Sequence, residues 1–200
     1  PLEYIVIRDQ YIKGYCDEMP EGEEQIFIKR ATTSDIYPHN LANIRWNDDD
    51  EIFYFEGSND LIYDNHPMIF VSWCGAKAFT KHYNLDLPTH LEWEGFVEES
   101  GWSNNIEASY INYLNSGDPW DDPGGTTPVN FYQYPTSDLK DGLGNVWQWT
   151  NDINGSFRQC KGGSYLDILE EISLETIRTV NNGSNSVNKD IGFRVIKRND

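Results

Sequence analysis

The sequence predicts an α+β fold of short strands, two short helices and many loops. Three observations support this class: strand-like segments are short, two segments repeat apolar residues at helical spacing, and long stretches are rich in Gly, Pro, Asn and Asp. A chain of 200 residues has the length of one domain, so we expect residues 1–200 to form a single unit.

The N-terminal third is predicted to contain strands and one short helix. Residues 2–12 alternate aliphatic and polar side chains and lead into a turn at residues 11–14. Residues 25–30 form a second predicted strand, and a helix capped at residue 33 or 34 is predicted to end near residue 43. The aromatic run at residues 52–55 follows an acidic stretch, which indicates a surface loop or hairpin.

The first central helix is the clearest element of the sequence. Ser72 can cap its N-terminus, because a Ser side chain accepts a hydrogen bond from the free N–H groups of a first turn. Ala76, Phe79 and Tyr83 recur at helical spacing and predict its apolar face, up to Asn84.

The second helix starts at Thr89, which can cap it. Glu92 stands three residues later, where a capping box places an acidic side chain. Its predicted apolar side consists of Leu91, Trp93, Phe96 and Val97.

The C-terminal half has less periodicity. Residues 101–135 are rich in turn-forming and aromatic residues, and so long an irregular stretch is either functional or stapled, for example by an ion. Residues 144–150 form a predicted strand with alternating Trp, and residues 162–165 a tight turn. A polar loop at residues 181–189 precedes the closing strand at residues 191–196.

The charge of the chain excludes several classes of function. It has 33 Asp and Glu against 15 Lys and Arg, a formal charge of −18 at pH 7. Binding to nucleic acid or to an anionic membrane surface requires clustered Lys and Arg. No window is long and apolar enough to span a membrane, and residues 1–10 do not resemble a signal peptide. The aromatic content of 14% argues against disorder.

The three cysteines, Cys16, Cys74 and Cys160, are widely spaced and form no zinc pattern. At most one disulfide could close among them. We expect each to be a small buried apolar residue.

Five ordered motifs cover nearly the whole chain. They are HPMIFVSW at residues 66–73, LPTHLEWE at 87–94, GLGNVWQWT at 142–150, KGGSY at 161–165 and IGFR at 191–194. Together they resemble the formylglycine-generating-enzyme (sulfatase-modifying factor) family. The resemblance implies a decorated C-type-lectin-like α+β fold. It also places four Trp residues in the core, Trp73, Trp93, Trp147 and Trp149, whereas Trp46, Trp102 and Trp120 lie in loops where partial exposure is expected.

The oxidase activity of that family depends on residues that this chain lacks. The resemblance implies a pair of copper-binding cysteines between the GGS turn and the GFR strand, and residues 166–190 contain no cysteine. We therefore expect no copper and no catalytic residue. The iron-dependent branch needs a cluster of His, and the four histidines show no ligand-like spacing. An alternative is a divergent formylglycine-generating-type oxidase, or another modifying enzyme, with an unidentified cofactor.

A binding function remains, and it involves an unknown protein or surface ligand. The same motifs are similar to those of variable proteins diversified by retroelements, in which the segment between the GGS turn and the GFR strand displays the ligand site. Adenine-directed diversification starts from Asn codons, and it predicts a ligand site at Leu166, Asp167, Ile168, Asn181, Asn182, Asn185 and Asn188. Asn is also common in ordinary polar loops, so the composition alone does not distinguish the two explanations.

The resemblance also implies a structural calcium ion, and this is the one cofactor that we expect here. Its ligands would be the side chains of Asp141 and Gln148 and the carbonyls of Gly144 and Val146, all of them oxygens as Ca²⁺ prefers. The alternative is that Asp141 only forms a turn and Gln148 only pairs across strands. A second family site would use Asn112, Asp121 and the carbonyls of Tyr113 and Pro123.

Overall fold

The computed structural model confirms the α+β class. It describes residues 6–8, 11–19, 22–29, 44–47, 52–55, 58–62, 65–105, 107–120, 125–135 and 137–198. The helix predicted over residues 33–43 lies outside these described residues.

The described elements are ten short strands, two α-helices and two 3₁₀ helices. The strands are β1 (Val6–Arg8), β2 (Tyr11–Tyr15), β3 (Glu24–Lys29), β4 (Ile44–Asn47), β5 (Ile52–Phe55), β6 (Ser58–Ile62), β7 (Trp147–Asn154), β8 (Phe157–Lys161), β9 (Ile177–Val180) and β10 (Ile191–Phe193). The helices are α1 (Trp73–Tyr83) and α2 (His90–Glu99), with 3₁₀ turns at Ala108–Tyr110 and Leu169–Glu171.

The strands form three sheets. Two are antiparallel and three-stranded, β1-β2-β3 and β4-β5-β6. The third has the order β10-β7-β8-β9, and in it β10 runs parallel to β7 whereas the other pairs are antiparallel. Its two ends differ: the β7–β8 hairpin closes one end, which we call the hairpin end, and the loop 162–176 joins β8 to β9 at the other, which we call the loop end.

Two predictions about the N-terminal region need correction. The segment at residues 11–14, predicted as a turn, is part of strand β2, and the single strand predicted over residues 2–12 is two antiparallel strands, β1 and β2. Pairing with β1 on one side and with β3 on the other holds the backbone of residues 11 and 12 extended. The predicted strand at residues 25–30 is confirmed as β3, and the aromatic run at Ile52–Phe55 is strand β5 of a hairpin.

Helix α1 has the predicted ends and a different buried face. The Ser72 side chain accepts a hydrogen bond from the N–H of Gly75 at 3.0 Å, and Asn84 ends the helix in the left-handed conformation. Ala76 is buried as expected, but Phe79 and Tyr83 are exposed. The two rings instead pack against each other, with centroids 4.7 Å apart. The prediction failed because periodicity identifies a face and not which neighbouring element covers it.

Helix α2 begins with the predicted capping box. The N–H of Glu92 donates to Thr89 Oγ1 at 3.2 Å, and the N–H of Thr89 donates to the Glu92 carboxylate at 2.8 Å. Trp93 and Val97 are buried, whereas Leu91 is 67% exposed and does not belong to the apolar face.

Two apolar clusters form the core. The first lies between α1 and the four-stranded sheet and includes Trp73, Trp147 and Trp149. The second lies between α2 and the loops, and its buried residues are Trp93, Val97, Trp102, Ile111, Leu143, Ile172 and Leu174. The four Trp placed in the core by the motifs are confirmed there. Trp102 and Trp120, expected to be partly exposed, are buried as well, because the loops fold over them.

A disulfide joins Cys16, after β2, to Cys74, in the first turn of α1. The expectation that these two cysteines are only small apolar residues is therefore wrong. Their separation of 58 residues gave no local signal for pairing. Cys160 is free and fully buried, as expected.

Neither α1 nor α2, nor any other described helix, combines the length and apolar character that a membrane span needs.

Candidate functional site at the loop end of the sheet

The turn after β8 is held by its own hydrogen bonds. Gly162 and Gly163 both have positive φ, which glycine adopts without strain. The Asp167 carboxylate accepts from the N–H and the hydroxyl of Ser164 at 2.8 and 2.7 Å. The N–H of Leu166 donates to Ser164 Oγ at 3.2 Å. The three side chains at residues 166–168, all predicted to contact a ligand, therefore have different surroundings. Asp167 stabilises the turn, Leu166 is half-buried and Ile168 is 46% exposed.

A second loop contacts this turn from the irregular region. The N–H of Leu114 donates to the Asp167 carbonyl at 2.9 Å, and the N–H of Asn145 donates to the Asn112 carbonyl at 2.9 Å. These bonds place Leu114, which is 40% exposed, beside Ile168. Sequence reasoning did not select Leu114. The signal that could have found it is a large aliphatic side chain inside a polar, loop-rich segment.

The predicted Asn residues do not gather around this turn. Asn188 does lie near it, because its carbonyl accepts from Phe70 N and the adjacent Lys189 carbonyl accepts from Tyr165 Oη at 3.3 Å. Asn181 lies at the hairpin end, where its side chain accepts from Ser156 Oγ, and Asn182 follows it in the same turn.

Asn185 lies between these groups. Its side-chain oxygen accepts from the N–H of Ile26 in β3. Of the seven predicted residues, residues 166–168 and Asn188 therefore lie at the loop end, and Asn181 and Asn182 lie at the hairpin end. A single small ligand could not contact both, since the eight-residue strand β7 separates the two ends.

Asp141 is the predicted calcium ligand with the most favourable surroundings. Its side chain is 8% exposed, and its Oδ2 atom is buried without a hydrogen-bond partner. Burial raises the pKa of this carboxyl to about 6, while the charge of Arg194 and hydrogen bonds from Asn145 and Asn130 oppose the increase. A buried carboxylate oxygen without a partner is a group that a cation would stabilise.

Gln148 fits the predicted calcium site poorly. Its Oε1 atom already accepts from Trp93 Nε1 at 2.9 Å and from Arg194 Nε at 3.0 Å, and its Nε2 donates to the Asp141 carbonyl at 3.1 Å. Arg194 Nη2 also donates to that carbonyl at 3.1 Å. Gly144 and Val146 are buried in the intervening bend. The four residues therefore do not fit calcium as a set in this arrangement, because a guanidinium holds one of the ligands.

The second predicted calcium site is only partly described. Asn112 is buried, and its Nδ2 donates to the Gly125 carbonyl at 3.0 Å. Asp121 and Pro123 lie outside the described residues.

Two of the described histidines, His66 and His90, make side-chain hydrogen bonds. His66 Nδ1 lies 2.9 Å from Thr126 Oγ1, and His90 Nδ1 lies 2.8 Å from Asp152 Oδ1. In the part of the chain that the structure describes, no three His, Cys, Asp or Glu side chains form a metal-binding group.

A cavity of about 600 Å³ lies beside α1, and none of its lining residues belongs to the predicted site. Its charged groups are all paired: Lys77 lies 3.1 Å from the Asp86 carboxylate and 3.5 Å from that of Glu18, and Lys81 pairs with Asp17. It therefore has no unpaired charge with which to select a ligand.

Comparison with known proteins decides the family. Residues 13–199 match the Sulfatase-modifying factor enzyme 1-like domain. The chain belongs to this family. This sulfatase-modifying-factor-like domain is 29% identical over 149 residues to the inactive C-alpha-formylglycine-generating enzyme 2 of Bos taurus, a match that covers 64% of the chain and 49% of that protein. It is 30% identical over 133 residues to the formylglycine-generating enzyme of Mus musculus, with 51% and 36% covered. The domain thus spans half or less of the length of these relatives.

Solved structures confirm the fold. Treponema denticola variable protein 1 superposes on the domain with a TM-score of 0.56 at 19% identity, covering 72% of this chain and 74% of that one. The predicted formylglycine-generating-enzyme type of C-type-lectin-like fold is therefore confirmed.

Proposed function

We propose that this domain is a non-catalytic binding module whose ligand contacts the loop end of the four-stranded sheet, around Ile168. The observation that carries the proposal is the state of the three cysteines in the sequence. Cys16 and Cys74 are joined to each other, and Cys160 is fully buried. Burial raises the pKa of the Cys160 thiol well above its ordinary value, which disfavours the thiolate that binds copper or attacks a substrate.

The surroundings of Ile168 suit recognition. The loop that carries it is held by the Asp167–Ser164 hydrogen bonds and by the bond from Leu114 N to the Asp167 carbonyl. Ile172 and Leu174, further along the same loop, are buried in the second core cluster. A loop fixed in this way loses little conformational entropy when a ligand binds. Loops on a rigid scaffold are also where binding residues concentrate.

The named relatives support this proposal in part. One is named as inactive, and the neighbouring Treponema structure is named as a variable protein. We extend the proposal to this chain: residues 166–190 are a diversified segment, varied at adenines of Asn codons. A reverse-transcriptase gene beside a near-copy of the 3′ end of this gene is the expected genomic arrangement. If related copies of this gene differed as often at other bases as at adenines of the near-copy, that result would contradict diversification.

The binding proposal is tested with the intact domain and two libraries, random peptides displayed on phage and a glycan array. Ile168→Ser is expected to weaken binding of the selected ligand about tenfold or more, since an exposed anchor residue is lost. The matched control is Asn181→Ala with Asn182→Ala, at the hairpin end. A ligand lost in the control and retained in Ile168→Ser would place the site at the hairpin end and refute the proposal as stated.

We also propose that a calcium ion binds at the partnerless Oδ2 atom of Asp141 and not at the Gln148 side chain, which stays bonded to Trp93 and Arg194. Calcium at about one hundred times its Kd would stabilise the fold by roughly 2.7 kcal/mol, because it binds the folded state alone. Adding EDTA to the calcium-loaded domain should therefore lower its Tm, and Asp141→Asn should abolish the response. An unchanged Tm on chelation of the unmodified domain would refute the site.

A further inference from the structure

The loops around Ile168 carry charge of one sign. Residues 101–139 and 162–177 contain no Lys, Arg or His, and we call the described residues of these two segments together the acidic lobe. Among its described residues the exposed acidic side chains are Glu107, Asp138, Glu170, Glu171 and Glu175. The two segments are in contact, because Asn104 Nδ2 donates to the Glu175 carboxylate at 2.7 Å and Leu174 N donates to Asn104 Oδ1 at 2.8 Å. The formal charges within the lobe are therefore all negative.

Large apolar side chains emerge from the same lobe. Leu114 and Ile168 are 40% and 46% exposed and lie on hydrogen-bonded loops. Phe131 is 42% exposed and packs edge-on against Trp120, with ring centroids 4.9 Å apart. Single exposed apolar residues need no explanation, but several on adjoining loops are typical of an interaction surface.

The loops that carry these side chains are tied together at Asp118. Its carboxylate accepts from Ser116 Oγ at 2.8 Å, from Trp120 N at 2.7 Å and from Tyr132 Oη at 3.3 Å. The hydrogen bond from Tyr132 connects the loop of Leu114 to the loop of Phe131. The surface is therefore preorganised, although it contains little regular secondary structure.

We infer that the acidic lobe binds a cationic polypeptide, whose Lys and Arg side chains surround an apolar or aromatic anchor seated between Leu114, Ile168 and Phe131. This inference rests on the proposed function and adds the chemistry of the partner. Positive side chains complement the lobe, whereas phosphate groups of nucleic acid or lipid are repelled by it. The apolar side chains supply contact area that a purely ionic partner would leave unused.

The test uses peptides selected from the phage library on the intact domain. We expect them to be enriched in Lys and Arg with a Leu, Phe or Trp between, and to bind several-fold more weakly as salt is raised through the physiological range. Glu170→Gln with Glu171→Gln should weaken a selected peptide about threefold to tenfold, and Leu114→Ser about tenfold. The matched controls are Glu23→Gln with Glu24→Gln, which removes the same charge at the start of β3, and the exposed Leu91→Ser; both should leave the affinity unchanged.

Two outcomes would overturn the inference. Selected peptides that are neutral or acidic, or a glycan ligand that needs Ile168, would refute the cationic partner and leave the binding module intact. If the lobe variants and their controls weakened peptide binding equally, the peptides would be attracted only by the net charge of the whole domain and not by the acidic lobe. Absence of any ligand that needs Ile168 would instead count against the proposed function itself. Unchanged Tm values of the surface variants would confirm that they remain folded.

Discussion

Asp167 and Ile168 are neighbours in the sequence and have different surroundings. The Asp167 carboxylate is occupied by two hydrogen bonds from Ser164, whereas the Ile168 side chain is nearly half exposed. Both residues can arise from Asn codons by changes at adenine, so both were predicted to contact a ligand. A codon carries no information on which side chain faces inward. At this scale the geometry therefore separates a residue that maintains the turn from one that is available to a partner.

This difference predicts effects of different size for two substitutions. Asp167→Ala should lower the free energy of unfolding by about 1–3 kcal/mol, because it removes the acceptor of two hydrogen bonds at a largely buried Ser164. Ile168→Ala should change it by less than about 0.5 kcal/mol. Urea unfolding followed by Trp fluorescence measures both. Equal losses for the two variants would show that the turn is not held by Asp167.

The ends of the two helices are the elements that local sequence predicted best. Ser72, Thr89 and Glu92 act within three residues of the groups that they cap, so their contacts follow from spacing alone. The buried face of α1 could not be predicted in the same way, since it depends on packing against strand β3 and the four-stranded sheet. Strands β8 and β9 gave no clear sequence signal, because they are five and four residues long.

The capping box of α2 predicts a dependence of stability on pH. Hydrogen bonds from Arg198 and from the N–H of Thr89 lower the pKa of Glu92 from 4.5 to about 2. A carboxyl with a lowered folded-state pKa stabilises the protein above its unfolded pKa, and this contribution is lost as the pH falls from about 4.5 to about 2. Because Glu92 is partly exposed, we expect an effect of only about 1 kcal/mol.

Glu92→Gln should remove this part of the pH dependence. Unfolding titrations of both proteins between pH 6 and the acid limit measure the difference, and Glu99→Gln, at the exposed end of the same helix, is the control. A parallel acid profile for Glu92→Gln and the unmodified domain would contradict the assignment.

The disulfide gives a prediction for the link between β2 and α1. Closing a loop of 58 residues restricts the unfolded chain, and the chain-entropy relation gives a stabilisation of about 4 kcal/mol. Reduction with dithiothreitol should therefore lower the Tm by roughly 10 °C. A variant with Cys16→Ser and Cys74→Ser should have the lower Tm without reductant and no further response to it. Titration of three free thiols, instead of one, in the denatured unreduced domain would refute the bond.

At the scale of the whole molecule, the ordered motifs identify the family and fold because each lies at a structural junction. Trp93 and Arg194 both donate a hydrogen bond to the Gln148 side chain, and the three residues come from three different motifs. Each motif read alone contains only one of these three residues, so the hydrogen bonds between them could not be predicted from it. The candidate site was harder to predict. Asn181 and Asn188 are seven positions apart, and the loop that contains them returns from one end of the sheet to the other. Sequence proximity therefore overestimated how close the predicted residues lie in space.

We propose that this member of the family binds its ligand without cysteine chemistry. The most direct measurement incubates the intact domain with copper(I), oxygen and a cysteine-containing peptide, and follows the peptide thiol by mass spectrometry against copper alone. We expect the same rate of thiol loss with and without the domain, and the same rate for Cys160→Ala. Turnover that requires the domain and disappears in Cys160→Ala would contradict the claim.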